Sequence, residues 1–265
     1  MIDFTLDNLY TWLNAFWWPF ERMLALIGTA PIFSEPGTPS RVKIGLAALL
    51  AVAVAPALPA MPDIPPASFA GLLITGQQII IGMAMGMAMK FVFAIVQMAG
   101  EFIGLQMGLS FASFFDPGTG ANTAVLARIM NRFALLLFLV LDGHLLIIGA
   151  LVQSFQTLPV AEMTLNPNGW GVLLNWGSQI MELGLLLALP LVASLLAVNL
   201  ALGILNRTAS QLSIFSVGFP ITMTVGILLL TVILPHIGPY LERIFEQGFE
   251  AMSNVLTGFA TGRLG

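Results

Sequence analysis

The sequence predicts an all-α, polytopic membrane protein with about six apolar helical segments, some of them bent hairpins, and a C-terminal amphipathic helix. Composition comes first: 58% of the 265 residues are apolar and 8% are charged. A soluble domain carries about a quarter charged residues, so this chain could not cover a water-facing surface. Long uncharged runs come second, because a bilayer span needs about 20 mainly apolar residues. Pattern comes third: runs such as LLLALPLVASLLAVNLAL lack the alternation of barrel strands. A segment in lipid must then satisfy its backbone internally, as a helix.

The same arithmetic excludes other classes. A soluble globular enzyme and a disordered chain do not fit. The net charge is −4, without the basic surplus of a nucleic-acid binder, so no nucleic acid is expected as a partner. The absence of cysteine removes disulfides and thiolate metal centres. With His144 and His236 the only histidines, no metal or cofactor is expected. Asp3 and Asp7 precede the first basic residue, Arg22, so no secretory signal is expected.

Taken in order, the candidate spans are about 9–33, 44–62, 64–89, 133–157, 183–206 and 212–234. Glu21-Arg22 interrupts the first and Asp142 the fourth. Arg41 and Lys43, then Lys90, Arg128 and Arg132, then Arg207 fall in connections of one side. Asp63 and Glu162 fall in the opposite connections, which carry no Lys or Arg. This positive-inside bias predicts both termini outside the cytoplasm.

Region 90–132 is too long for a simple loop and too apolar for a solvated one. It reads as helix, break, helix, the break being FFDPGTGAN. Asp116, Pro117, Gly118 and Gly120 supply turn chemistry, flanked by Phe111, Phe114 and Phe115. Irregular backbone at membrane depth is tolerated only against protein or a cavity. In the tail, 239–262, Leu241, Ile244, Phe245, Phe249, Met252, Leu256 and Phe259 recur at helical spacing with polar residues between, an amphipathic pattern.

Several residues invite a role. A charge in hydrocarbon costs roughly 2.5–3.5 kcal/mol on insertion scales, so Glu21 and Arg22 are expected to meet protein or water. Asp142 and His144 read either as a proton relay or as a polar kink at a helix contact. Arg128 and Arg132 share one helical face, and Glu101 and Arg207 complete a set of expected buried polar contacts. Gly100, Gly104 and Gly108 form one small-residue face, and Gly82 and Gly86 a second; such faces let backbones approach. Met83, Met85, Met87 and Met89 read as adaptable packing. No nucleotide loop, HExxH or GxSxG appears in the sequence, so no catalytic residue is assigned.

Three stretches together resemble one family. They are GTAPIFSEPGTPSRVKIG at 28–45, GEFIGLQMGLSFASFFDPGTGANTAV at 100–125, and NLALGILNRTASQLSIFSVGFPITMTVG at 199–226. They resemble the FliR/SctT family of type III export apparatus subunits over essentially the whole chain. Ser210 and Ser213 stand where that family commonly has Pro and Asn. The resemblance implies a non-enzymatic subunit over residues 1–265. It would form a helical pore with FliP and FliQ for unfolded exported proteins, with FlhB and FlhA as further neighbours. It further implies residence in the inner membrane at the flagellar basal body, displaced toward the periplasm, and a plug at about 106–122. Phe111, Phe114 and Phe115 would then block the lumen by dewetting. A small secondary transporter is the alternative reading. Such transporters use broken helices around a midplane site, but this sequence shows neither a repeat nor converging charges.

Overall fold

The computed structural model describes residues 6–33, 37–109, 125–208 and 214–260. Among them are nine α-helices and no strand: α1 (Leu6–Thr29), α2 (Ser40–Val54), α3 (Phe69–Gln106), α4 (Val125–Val140), α5 (Gly143–Thr157), α6 (Asn168–Ser178), α7 (Ile180–Thr208), α8 (Ile214–Ile233) and α9 (Gly238–Ala260). The expected plug at about 106–122, with Phe111, Phe114, Phe115, Asp116, Pro117, Gly118 and Gly120, lies almost wholly outside the described residues.

Four pieces are long and apolar enough to cross a membrane: Ser40–Ala57, Phe69–Gln106, Asn168–Thr208 and Gly218–His236. A fifth arises if α4 and α5, bent by 68° at their junction, are one span. The six anticipated spans thus reduce to four or five among the described residues. The segment that drops out is α1, where Asn14 and Glu21-Arg22 dilute the apolar sequence. The fourth anticipated span is two helices. Asp142 adopts a left-handed φ of 54°, which stops α4, and its carbonyl accepts the Leu145 amide at 2.9 Å to start α5.

The anticipated boundary at Lys90 also disappears. Helix α3 runs unbroken for 38 residues, about 57 Å at ~1.5 Å per residue. Lys90 sits at an exposed position, so its charge leaves the backbone ladder intact. Ser68 begins this helix by accepting the Gly71 amide on its hydroxyl at 3.0 Å, an N-cap. Gly108 ends it, with φ 80° and the Leu109 amide returning to the Gly104 carbonyl at 2.9 Å, as helices commonly end.

The chain divides into two compact units. The first holds α1, α2, α3 through Phe91, α5, α6 and α9 from Phe245. Its buried side chains include Trp18, Met23, Ile74, Met85, Phe155 and Phe259. The Trp176 indole donates to the Ala88 carbonyl at 2.9 Å, joining α6 to α3. Gly169 and Gly258 let α6 and α9 touch, since a Cβ on Gly258 would lie 2.9 Å from the Gly169 Cα.

The second unit holds α3 from Val92, α4, α7, α8 and α9 through Ile244. Phe93 meets Phe138 edge-on at 5.7 Å between centroids. On α7, a Cβ at Gly184 would stand 2.9 Å from the Met98 Cβ of α3. On α8, Gly226 lies under the Met107 side chain.

Not every helical glycine is tight. Nothing lies within 4 Å of a Cβ built on Gly149 of α5. Gly149→Ala is therefore expected to raise stability by up to about 1 kcal/mol, the helix-propensity difference. The midpoint of thermal unfolding of the purified chain in detergent checks this.

Candidate functional site: a buried arginine and close helix contacts

The sequence places one charged pair inside an apolar stretch, and the fold builds a polar cluster around it. Arg22 is 0% exposed. Its Nε donates to Gln78 Oε1 at 2.8 Å, Nη1 to Ser154 Oγ at 2.9 Å, and Nη2 to the Leu158 carbonyl at 2.8 Å. The guanidinium carbon stands 4.0 Å from the Phe155 ring centroid, close enough for a cation–π contact. These partners come from α3, α5 and the residue that ends α5. A planar fork of five donors suits such divergent acceptors, where an ammonium would not.

Glu21, the preceding residue, does not pair with Arg22. Its Oε1 accepts from Thr75 Oγ1 at 3.0 Å, while Oε2 is buried without a partner among the described residues. Around this cluster, polar side chains pin the connections. Asn14 Nδ2 donates to the Pro62 carbonyl at 3.2 Å, and Gln77 Nε2 donates to the Met163 carbonyl. The loops before α3 and after α5 are thus held from α1 and α3.

The other expected polar contacts lie elsewhere. Arg128, Arg132, Asp142 and Arg207 are exposed on the single chain, so the rest of this chain does not bury them. On α4 the apolar positions Leu126, Ala127, Met130, Ala134 and Phe138 turn inward, so the intervening arginines turn out. Glu101 is half-buried and accepts from Gln97 Nε2 at 3.2 Å, one turn earlier on the same helix. Asp142 and His144 share no hydrogen bond, and His144 Nδ1 is buried and unpartnered among the described residues.

The glycine faces divide by geometry. On Gly82 a Cβ would collide with the Arg22 carbonyl and sit 2.8 Å from Ala25 Cβ; on Gly86 it would meet the Thr29 side chain. α1 therefore rests directly on α3. On Gly100 a Cβ would lie 2.5 Å from the Ala127 Cα, so α4 rests on α3 in the same way. Gly104 is buried. Gly108 lies beyond the last helical residue, where its left-handed backbone ends α3.

Sequence reasoning missed Gln78, Ser154 and Leu158, the acceptors that hold the arginine. Gln78 and Ser154 were visible as polar interruptions of apolar runs, but a backbone carbonyl leaves no mark. Large apolar side chains remain exposed in number, among them Leu185, Leu189, Leu196, Leu200 and Ile204 on α7 and Ile227, Leu228 and Val232 on α8. Faces of this kind call for lipid or another protein. No group of His, Cys, Asp and Glu able to hold a metal occurs among the described residues.

These features define a helical integral membrane protein whose buried polar groups serve packing and whose outer faces await a nonaqueous environment. Residues 13–248 match the bacterial export proteins, family 1. The chain is 51% identical to the flagellar biosynthetic protein FliR of Escherichia coli strain K12, over 97% of this chain and 98% of that one. It is 49% identical to FliR of Pectobacterium carotovorum over the same shares. Against FliR of Bacillus subtilis it is 30% identical over 95% of this chain and 98% of that one. The chain belongs to the bacterial export proteins, family 1, and is a membrane component of flagellar protein export.

Proposed function

We propose that the chain is a structural and gating subunit of the flagellar type III export gate. In this reading it assembles with FliP and FliQ around a pore for unfolded exported proteins, next to FlhB and FlhA. The observation that carries the reading is the 51% identity to a flagellar biosynthetic protein over 97% of the chain. The exposed leucines of α7 and α8 support it, since subunits or lipid must cover them. The assembly sits in the inner membrane at the basal body, displaced toward the periplasm. The chain acts there as one subunit over its whole length and performs no catalysis.

The segment at about 106–122 is the plug. Phe111, Phe114 and Phe115 stopper the lumen, and Asp116, Pro117, Gly118 and Gly120 turn the chain back. A phenylalanine constriction excludes water and so blocks ions. Gly82, Gly86, Gly100 and Gly104 pack helices, and the exposed Arg128, Arg132, Asp142 and Arg207 meet neighbouring subunits.

Deleting residues 110–120 is expected to leave the complex assembled and the membrane leaky to small solutes. Flux of an impermeant dye from cells, read beside the mass of the purified complex, checks this. An assembled complex without added leak would refute the plug.

A further inference from the structure

The connection between α2 and α3 contains a three-residue repeat: Leu58-Pro59-Ala60, Met61-Pro62-Asp63, Ile64-Pro65-Pro66. Each triplet reads apolar, proline, variable. Proline fixes φ near −65°, and the residue before it is driven to extended or polyproline II backbone. Two of every three residues are thus committed, and three residues make one turn of polyproline II. The structure agrees at the residue whose torsions bear on it. Leu58 has φ −89° and ψ 153°, close to polyproline II values of about −75° and +145°. Residues 59–65 carry no helix, turn or bend.

Exposure follows the repeat on one edge. Leu58, Met61 and Ile64 are half-buried, as are Pro62 and Pro66; Pro59, Ala60, Asp63 and Pro65 are exposed. The apolar edge therefore rests on the protein, and Pro59, Ala60, Asp63 and Pro65 form its free surface. Two anchors hold the ridge: Asn14 donates to the Pro62 carbonyl at 3.2 Å, and Pro65 accepts from the Ser68 hydroxyl at 2.7 Å. At about 3.1 Å per residue, the run from Pro59 to Pro65 is roughly 19 Å long.

We propose that Leu58–Pro66 is a docking ridge for another subunit of the export apparatus. Its partner surface is an aromatic-lined groove with a Lys or Arg at its edge. Polyproline II segments recognise grooves of that kind because their backbone order is already set before binding. Asp63 is the sole charge on the ridge, and it sets the sign of the groove's edge. The proposal rests on the export-gate reading, since it takes the partner from that assembly.

The chain has no cysteine, so Ala60→Cys gives a single label site on the free edge. Maleimide labelling is measured on the full chain in lipid nanodiscs, on the purified export complex, and on the complex carrying Pro59→Ala with Pro65→Ala. Labelling is expected to slow about tenfold or more in the complex, a factor worth roughly 1.4 kcal/mol of cover. The proline double variant should bring the rate back to within about threefold of the isolated chain, and Asp63→Lys should shift it the same way. Equal rates in chain and complex, slow labelling in nanodiscs alone, or slowing indifferent to the prolines would each overturn the ridge. Mass of the same samples reports assembly separately. A chain that purifies alone overturns the export-gate reading, while an intact complex in which the Ala60→Cys thiol labels fast overturns only the ridge.

Discussion

Arg22→Met is expected to destabilise the chain by about 3–5 kcal/mol. The substitution strands three buried acceptors, on Gln78, Ser154 and Leu158, and each unsatisfied buried group costs roughly 1–3 kcal/mol before relaxation. It also removes the contact over Phe155. Methionine replaces most of the apolar stem, so the loss reads hydrogen bonding more than volume. Arg22→Lys should recover little, because one ammonium cannot reach three acceptors spread around a planar fork. The midpoint of thermal unfolding in detergent, compared among the three proteins, decides this. A methionine variant as stable as the parent would show that the cluster contributes nothing to the fold.

Gly100→Ala is expected to destabilise by about 2–3 kcal/mol, the scale of overpacking in a close-packed interior. Helix propensity alone predicts the opposite sign, a gain of about 1 kcal/mol. The sign reverses because the new methyl would face the Ala127 Cα at 2.5 Å and its amide nitrogen at 2.9 Å. Backbone cannot turn aside as a flexible side chain can, so α3 and α4 would have to separate. Gly76→Ala on the same α3 is the control, with nothing within 4 Å of the added carbon. Unfolding midpoints that rise for Gly76→Ala and fall for Gly100→Ala would establish the close approach; a rise in both would remove it.

The helices at 180–208, 214–233 and 238–260 lie within a few residues of what hydropathy and helical spacing indicate. For these segments the apolar run and the helix are nearly the same object, because each run ends where turn or cap chemistry begins. The failures have a common source: charge does not report backbone. Lys90 marks the end of an apolar stretch, yet α3 continues through it because an exposed lysine leaves every i→i−4 bond in place. Asp142 suggests a blemish within one helix, yet its left-handed backbone separates two. Nor does a charge in an apolar context declare its own burial: Arg22 is enclosed, while Arg128 and Arg207 are not. What distinguishes them is the set of neutral acceptors brought to Arg22 from 56, 132 and 136 positions away. The proline triplets at 58–66 went unread, although proline restricts its own residue and the one before it.

The length of α3 has a consequence for the bilayer. Hydrocarbon is about 30 Å thick, and helices lean by at most about 40°. Even at that inclination a rod of ~57 Å projects some 44 Å along the normal, leaving around 14 Å, or about twelve residues of the tilted helix, standing proud of the lipid. Those residues belong to a sequence as greasy as the rest of the rod. Water is a poor host for them, so polypeptide must sheathe the protruding end, and the chain's own helices packed along α3 already bury more than half of its most apolar stretch.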